Sequence, residues 1–330
     1  MTSLTAFALE EVIELPETFE QAKKKAIRKL ALFDIERNQL YAQLDKEQIW
    51  HMSLKGIILK DYYPKFGMRE MSDNDVLCDD SRMDDIRRIM ESLGYTCNEF
   101  SESNHDEYSK YFIPFEIHRA LFSANNKILT DYYKAVKTKL IRCDNDTFEF
   151  RFRLEDLYIY LLAHEYKHYI HFGIGIRSLL DIYVFLKRNH SDMDWDYTHQ
   201  EIEEISLTEF EKMNRELSQK VFSEATLSDE EKQLLMYFVA SGVNGNEENF
   251  WKNQFSKAIA GDDSKAQKRE YLLDRIFLHG DVLKKRYPFF YRHKILLPCL
   301  YTYRLFKAVF IKPKEVWAEY KRVKLFKYEK

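Results

Sequence analysis

Two aspartates with one residue between them occur in the segment Ser72-Asp73-Asn74-Asp75, at the start of a predicted strand over Asp73 to Cys78. Side chains alternate between the two faces of a strand, so Asp73 and Asp75 project from the same face, about 7 Å apart at Cα. Two carboxylates this close repel each other unless a cation lies between them. Mg²⁺ prefers such oxygen ligands and usually binds together with phosphates. The pair therefore predicts a site for a divalent metal, Mg²⁺ or Mn²⁺.

A lysine-glycine turn at Lys55 and Gly56 precedes the aspartates and leads into a short predicted helix over Ile57 to Tyr63. The amides at the start of a helix and a nearby lysine both favour negatively charged ligands. These residues by themselves indicate only a metal and an anion. We expect Lys55 and Gly56 to lie at the start of this helix, facing the aspartates.

Glu116 lies on a second predicted strand, over Lys110 to Arg119, on the face opposite to Phe115 and Ile117. A lone carboxylate on an apolar strand is costly without a partner, so Glu116 either joins the metal site or pairs with an arginine. If the two predicted strands are neighbours, about 5 Å apart, Glu116 converges with the two aspartates. Without metal, repulsion among the three acids would raise the pKa of at least one of them.

Several short motifs occur along the chain in a fixed order: Leu54-Lys55-Gly56, Tyr63-Pro64, Arg69, Ser72-Asp73-Asn74-Asp75, Gly94-Tyr95 and Glu116-Ile117-His118. Together they resemble the poorly characterised bacterial nucleotidyltransferases of the polymerase-β-type fold. The resemblance covers roughly residues 45 to 190. Asn74 stands where that family usually has an apolar residue, and the turn reads Lys-Gly-Ile where the wider superfamily has Gly-Ser.

The resemblance implies an enzyme that transfers an NMP group from a nucleoside triphosphate to an unidentified acceptor. The implied catalytic and metal-binding residues are Asp73, Asp75 and Glu116. The implied nucleotide-binding residues are Lys55, Gly56, Arg69 and Ser72. The implied substrate contacts are His118, Lys167 and His168.

The main alternative is a nucleotidyltransferase-like protein that binds a nucleotide or a partner without turnover, which Asn74 and the altered turn favour. A zinc hydrolase is a second alternative, because His164 to His168 is an HExxH motif on a predicted helix. However, no glutamate follows His168 at the usual distance, and His164 continues an apolar stripe. The third is a glycosyltransferase, because Asp-Asn-Asp matches the DxD motif, although the strand-rich N-terminal half of such folds is missing.

The predicted fold is α+β, a small mixed β-sheet of the nucleotidyltransferase type wrapped by a larger helical part. We expect three parts, namely an N-terminal helical segment (1–45), an α/β core (46–125) and a helical domain with a basic aromatic tail (126–330). Strand signals nearly disappear after about residue 120. The predicted helices beyond it are Leu154–Phe172, Ile176–Arg188, Glu201–Ala225, Asp229–Ala240 and Lys265–Leu278.

The composition predicts a cytoplasmic protein with no membrane partner. The four cysteines are far apart with no CxxC pair, which is typical of reduced thiols. The chain begins with acidic rather than basic residues, and it contains no run of 18 apolar residues. The segment from Lys284 to Lys330 is rich in Lys and Arg. It is either a solvated basic face or a surface for an anionic partner.

Overall fold

The computed structural model describes residues 17–101, 103–123, 126–223, 225–242, 245–246, 249, 273, 277–278, 283, 287–307, 310, 317 and 321. The first helix of the described residues, α1 (Glu17–Lys46), lies in the N-terminal segment that the sequence predicts to be helical. The helix forms because apolar residues recur every three or four positions, and Leu30, Phe33 and Leu40 are buried on one side.

Seven strands of the described residues form one mixed sheet. The strands are β1 (His51–Ser53), β2 (Asn74–Cys78), β3 (Thr96–Glu99), β4 (His105–Lys110), β5 (Ile113–His118), β6 (Leu140–Arg142) and β7 (Glu149–Phe152). Their order in the sheet is β3-β4-β5-β2-β1-β7-β6. The pairs β2–β5 and β1–β7 are parallel, and the other pairs are antiparallel. This mixed sheet with many helices confirms the predicted α+β fold.

Helices make up most of the rest of the described chain. They are α2 (Gly56–Leu59), α3 (Met83–Ser92), α4 (Lys127–Tyr132), α5 (Leu154–Tyr169), α6 (Ile176–Asn189), α7 (Trp195–Glu204), α8 (Thr208–Phe222), α9 (Asp229–Ser241), α10 (Pro288–Arg292) and α11 (Leu297–Phe306). Short 3₁₀ segments connect some of them. Most of the predicted helix over Lys265–Leu278 lies outside the described residues, as does about half of the basic tail.

One face of the sheet is apolar because alternate residues of its central strands are large and hydrophobic. Val76 of β2 and Phe115 and Ile117 of β5 share a hydrophobic core with Phe33 of α1 and Ile86 of α3. Burying this face fixes the register of the strands, since a slip of one residue would turn every apolar side chain to the other side. The residues that alternate with these apolar side chains along β2 and β5 therefore point away from this core.

Strand β4 was missed by the sequence prediction, which placed a single strand over Lys110 to Arg119. β4 pairs with β5 along its whole length. Its sequence is mostly polar, and one of its core-facing residues is Asp106, which is fully buried. Asp106 accepts hydrogen bonds from Arg119 and from the amide of Ser101, at 2.7 Å for the latter. Because this hydrogen-bonded carboxylate occupies a core-facing position, the sequence of β4 lacks the apolar alternation that predicts a strand.

Two further expectations were wrong in detail. Strands β6 and β7 join the sheet beyond residue 120, but they have only three and four residues and are mostly not buried. The helix predicted over Glu201–Ala225 is two helices, α7 and α8, separated by a turn at Ser206. Ser206 has a left-handed backbone with φ of 58°, which no continuous helix accommodates.

The chain divides into two compact units. The first is the described part of Met1–Tyr166 together with Arg177–Glu231, and the second takes in Lys167–Ile176 and Lys232–Lys330. Within the second unit the amide of Asn246 donates to the carbonyl of Phe172 at 2.8 Å. The division at residues 45 and 125 stays a prediction. Among the described residues, every helix is too short or too polar to cross a membrane.

Candidate active site

The lysine-glycine turn lies where the sequence predicted it, because α2 begins at Gly56. Lys55 precedes the helix with φ of 42° and ψ of −110°, a backbone conformation that is strained for a residue with a side chain. This turn directs its Nζ to Asp75 Oδ1, at 3.0 Å. Burial disfavours the charge of Lys55, but Asp75 and Glu116 outweigh burial and raise its pKa. Lys55 is therefore a half-buried cation aimed at the acidic pair.

Asp75 is the most tightly held acid of the site. It is 5% exposed, and its Oδ1 also lies 2.9 Å from His118 Nε2. Burial alone would raise the pKa of Asp75. The Lys55 ammonium and the His118 imidazole outweigh burial and hold this pKa well below its ordinary value. Asp75 is consequently ionised in the folded protein.

Asp73 has the opposite electrostatic character, although it is only two residues away. Burial together with the nearby Asp75 and Glu116 carboxylates raises the pKa of Asp73 to about 6. The hydroxyl of Ser72 donates to Asp73 Oδ2 at 3.2 Å. The direction of this shift is the one expected for at least one of the three acids, with burial as its largest cause and repulsion from the other two carboxylates adding to it.

Glu116 lies directly beside Asp75, because β2 and β5 are neighbours and these two residues are register partners. The predicted adjacency of the two strands is thus confirmed. Glu116 Oε2 is 3.4 Å from His118 Nε2 and 3.9 Å from His105 Nε2. The ion pairs found for Glu116 among the described residues are with these histidines and not with an arginine.

Asn74 lies on the other face of β2 and is fully buried. Its Oδ1 accepts a hydrogen bond from Arg37 Nη1 of α1, at 3.2 Å. An asparagine at this position is therefore part of the contact between sheet and helix and does not enter the acidic cluster.

Arg69 lies beside the turn but is held by a distant carboxylate. Its Nε and Nη2 donate to the two oxygens of Asp181 on α6, both at 2.8 Å, and Tyr63 donates to the same carboxylate at 2.6 Å. A Cβ added to Gly56 would come within 2.6 Å of Arg69 Nη1. Gly56 is therefore required for close packing against the guanidinium. The part that Arg69 plays in nucleotide binding stays a prediction, with two of its donor groups already engaged by Asp181.

Three residues near the cluster were not expected from the sequence. They are His105 on β4, Tyr160 on α5 and Arg177 on α6. Burial raises the pKa of Tyr160, and the charges of Asp75 and Glu116 add to this effect. Burial and the Arg69 guanidinium lower the pKa of Arg177, while Asp181 opposes them. None of the three lies in a local sequence motif. Only His105 could have been anticipated, and only from the register of β4.

The HExxH segment forms the end of α5, as predicted, but its glutamate is not open to solvent. Glu165 is 6% exposed and accepts a hydrogen bond from Asn214 Nδ2 at 2.7 Å. Burial raises the pKa of Glu165 well above its ordinary value, so it is not placed to activate a zinc-bound water. Lys167 and His168 belong to the second unit, and their contact with substrate stays a prediction.

A mixed sheet that brings two aspartates, a glutamate and a lysine-glycine turn to one face has the features expected of a nucleotidyltransferase-type fold. Comparison with protein families gives the same class. The model of a family described as uncharacterised nucleotidyltransferase matches residues 1–223. The match covers more than half of the chain, so the protein belongs to this family. Searches of curated proteins and of solved structures found no match.

Proposed function

We propose that the protein is a metal-dependent nucleotidyltransferase that moves an NMP group from an NTP to an acceptor hydroxyl or phosphate. The observation that supports this most is the convergence of three carboxylates, those of Asp73, Asp75 and Glu116, beside the Lys55 ammonium. The family match supports the class of reaction. The metal, the nucleotide and the acceptor are part of the proposal.

The donor set fits a hard divalent ion such as Mg²⁺ or Mn²⁺. Asp73, Asp75 and Glu116 supply only carboxylate oxygens, which such ions prefer. Burial, together with the neighbouring carboxylates of Asp75 and Glu116, raises the pKa of Asp73 to about 6, and a cation bound between these acids would relieve their repulsion. When bound, a divalent ion would neutralise the charge of the triphosphate and polarise its phosphorus–oxygen bonds.

The remaining charges suit the phosphates of an NTP. Lys55 is anchored on Asp75, and the guanidinium of Arg177 lies near Arg69 and Asp73 without an ion pair of its own among the described contacts. A group of neighbouring cations favours a polyanion that enters beside it. We assign Lys55, Arg69 and Arg177 to the β- and γ-phosphates, with Ser72 as a further hydrogen-bond donor.

In the proposed reaction an acceptor oxygen forms a bond to the α-phosphorus. The bond from that phosphorus to the bridging oxygen of the β-phosphate breaks, and pyrophosphate leaves with the electron pair. For a hydroxyl acceptor, Glu116 is placed to take the proton. Its carboxylate is partly exposed and lies in register with Asp75, where the reacting phosphate would be held.

Binding without turnover is the second candidate function, and the contacts of Asp75 favour it. In this structure Asp75 Oδ1 is engaged by both Lys55 and His118, at 3.0 and 2.9 Å. If these contacts persist when a nucleotide binds, only Oδ2 of Asp75 is left for a metal, and the Lys55 ammonium beside Oδ1 opposes the binding of a second cation. The protein would then bind a nucleotide through its cations alone.

The two candidates are separated by incubating the protein with each labelled NTP, Mg²⁺ and pools of acceptors, and by measuring pyrophosphate and label transfer. Turnover predicts pyrophosphate release that stops in EDTA and in the Asp73→Asn variant. Asp84→Asn, an exposed aspartate on α3, is the matched control and should behave as wild type. Tight NTP binding with no release in any pool supports the binding protein instead.

A further inference from the structure

A second group of potential metal ligands lies on the β4–β5 hairpin, next to the three carboxylates. His105 and His118 are register partners across the hairpin, and Glu116 is two residues before His118 on the same face. The pairing of β4 with β5 therefore places two imidazoles and one carboxylate together. This follows from the register alone and not from any sequence motif.

The distances match those of a metal site before the ion binds. Glu116 Oε2 is 3.4 Å from His118 Nε2 and 3.9 Å from His105 Nε2. One ligand atom from each of the three residues lies within 4.8 Å of the others. A tetrahedral ion with bonds of about 2.0–2.1 Å separates its ligand atoms by about 3.4 Å, so small side-chain movements suffice.

One ring nitrogen of each histidine lacks the hydrogen bond expected of a ring that served only packing. Nδ1 of His105 and Nδ1 of His118 are buried without a hydrogen-bond partner in the structure. Buried polar atoms are usually paired, so such atoms need a reason. Coordination of a metal ion through Nε2 gives these rings a function. Asp75 Oδ1, 2.9 Å from His118 Nε2, is a further oxygen at the same place.

The chemistry of this group differs from that of the acidic pair. Two imidazoles and one carboxylate suit borderline ions such as Zn²⁺ or Co²⁺, whereas Mg²⁺ prefers oxygen ligands alone. We propose that His105, Glu116 and His118 form a second metal site, which selects a transition-metal ion and shares Glu116 with the acidic site. This site goes beyond the proposed nucleotidyl transfer and does not require a nucleotide.

The test uses the full chain, stripped of metal with EDTA and titrated with Co²⁺ alone, without nucleotide. Bound Co²⁺ gives visible absorption bands that report nitrogen and oxygen ligands. We expect one Co²⁺ per chain, displaced by Zn²⁺, and an affinity at least about 10-fold lower in His105→Ala and His105→Gln. The control His199→Ala removes an exposed histidine of α7 and should leave Co²⁺ binding unchanged.

Thermal unfolding of each variant shows whether it is folded. The wild-type protein gives an independent reading, because Zn²⁺ should shift the ring NMR signals of His105 and His118. Unchanged binding in folded His105 variants, or shifts at other histidines only, would overturn the proposal. Loss of Co²⁺ binding in His164→Ala would place the ion at the HExxH segment. Loss of Co²⁺ binding in Asp73→Asn alone would place it at the acidic pair. If Asp73→Asn loses Mg²⁺-dependent NTP binding but still binds Co²⁺, the second metal site is distinct from the site of the proposed function.

Discussion

Asp73 and Asp75 differ in their effect on stability, although they are two residues of the same type in one short motif. The pKa of Asp75 is lowered, so its charge stabilises the fold above its ordinary pKa, and this stabilisation is lost as pH falls. The pKa of Asp73 is raised to about 6, so its charge destabilises the metal-free fold as pH rises through that value.

We therefore expect opposite results from two conservative substitutions in metal-free protein at pH 8. Asp75→Asn leaves the half-buried Lys55 without its anion and should lower the free energy of unfolding by about 2 kcal/mol. Asp73→Asn removes repulsion and should leave it unchanged or raise it by about 1 kcal/mol. Urea unfolding in EDTA measures both. Equal destabilisation by the two variants would show that the acids share one environment.

Glu165 provides a test of the HExxH segment. Burial raises its pKa well above the ordinary value, so the folded protein loses stability as pH rises from about 4.3 towards the raised pKa. Glu165→Gln cannot ionise, and its amide can donate to Asn214 Oδ1, which is buried without a partner. The variant should be more stable than wild type by about 1 kcal/mol or more at pH 8, with the difference vanishing near pH 4.

Unfolding curves at both pH values measure this difference, and the nucleotidyl transfer assay gives a second readout. A zinc hydrolase would instead lose its activity with Glu165→Gln, because that glutamate would be the general base. An unchanged pH dependence of stability would contradict the assignment of Glu165 as a buried, protonated acid.

The turn before α2 depends on packing between Gly56 and Arg69. A Cβ at Gly56 would lie 2.6 Å from Arg69 Nη1 and 3.2 Å from Met71 Cγ. Arg69 cannot move away cheaply, because Asp181 holds it through two hydrogen bonds. Gly56→Ala should therefore destabilise the protein by about 1–3 kcal/mol.

A double-mutant cycle identifies the cause. Arg69→Ala removes the clash, so adding Gly56→Ala to it should cost at least about 1 kcal/mol less than adding it to wild type. The free energies of unfolding of the four proteins give this coupling. Additive effects would mean that the alanine acts on the backbone of α2 and not on the guanidinium.

The parts of the fold that the sequence predicts are those with local patterns. Apolar periodicity indicates α1, and alternation around Glu116 indicates β5, whose pairing with β2 brings Glu116 to Asp75. The partner of Arg69 could not be predicted, because Asp181 is 112 residues away and no local pattern links them. His105 was missed for a related reason, since β4 is too polar to be recognised as a strand before its pairing is known.

All residues of the proposed reaction belong to the first compact unit. The family match ends at residue 223, and that unit extends to Glu231. The proposed chemistry therefore rests on the part of the chain that the family shares. The assignments that fall in the second unit, namely Lys167, His168 and an anionic partner for the basic tail, stay predictions.

The measurement that tests the central claim most directly is the equilibrium binding of NTPs to the full chain, by calorimetry, with Mg²⁺ and with EDTA. It needs no acceptor, so the unknown acceptor does not affect the result. We predict binding that requires Mg²⁺ and weakens at least about 10-fold in folded Asp73→Asn, while Asp84→Asn binds as wild type. Binding of equal strength in EDTA, or in Asp73→Asn, would contradict a metal-dependent nucleotide site at these carboxylates.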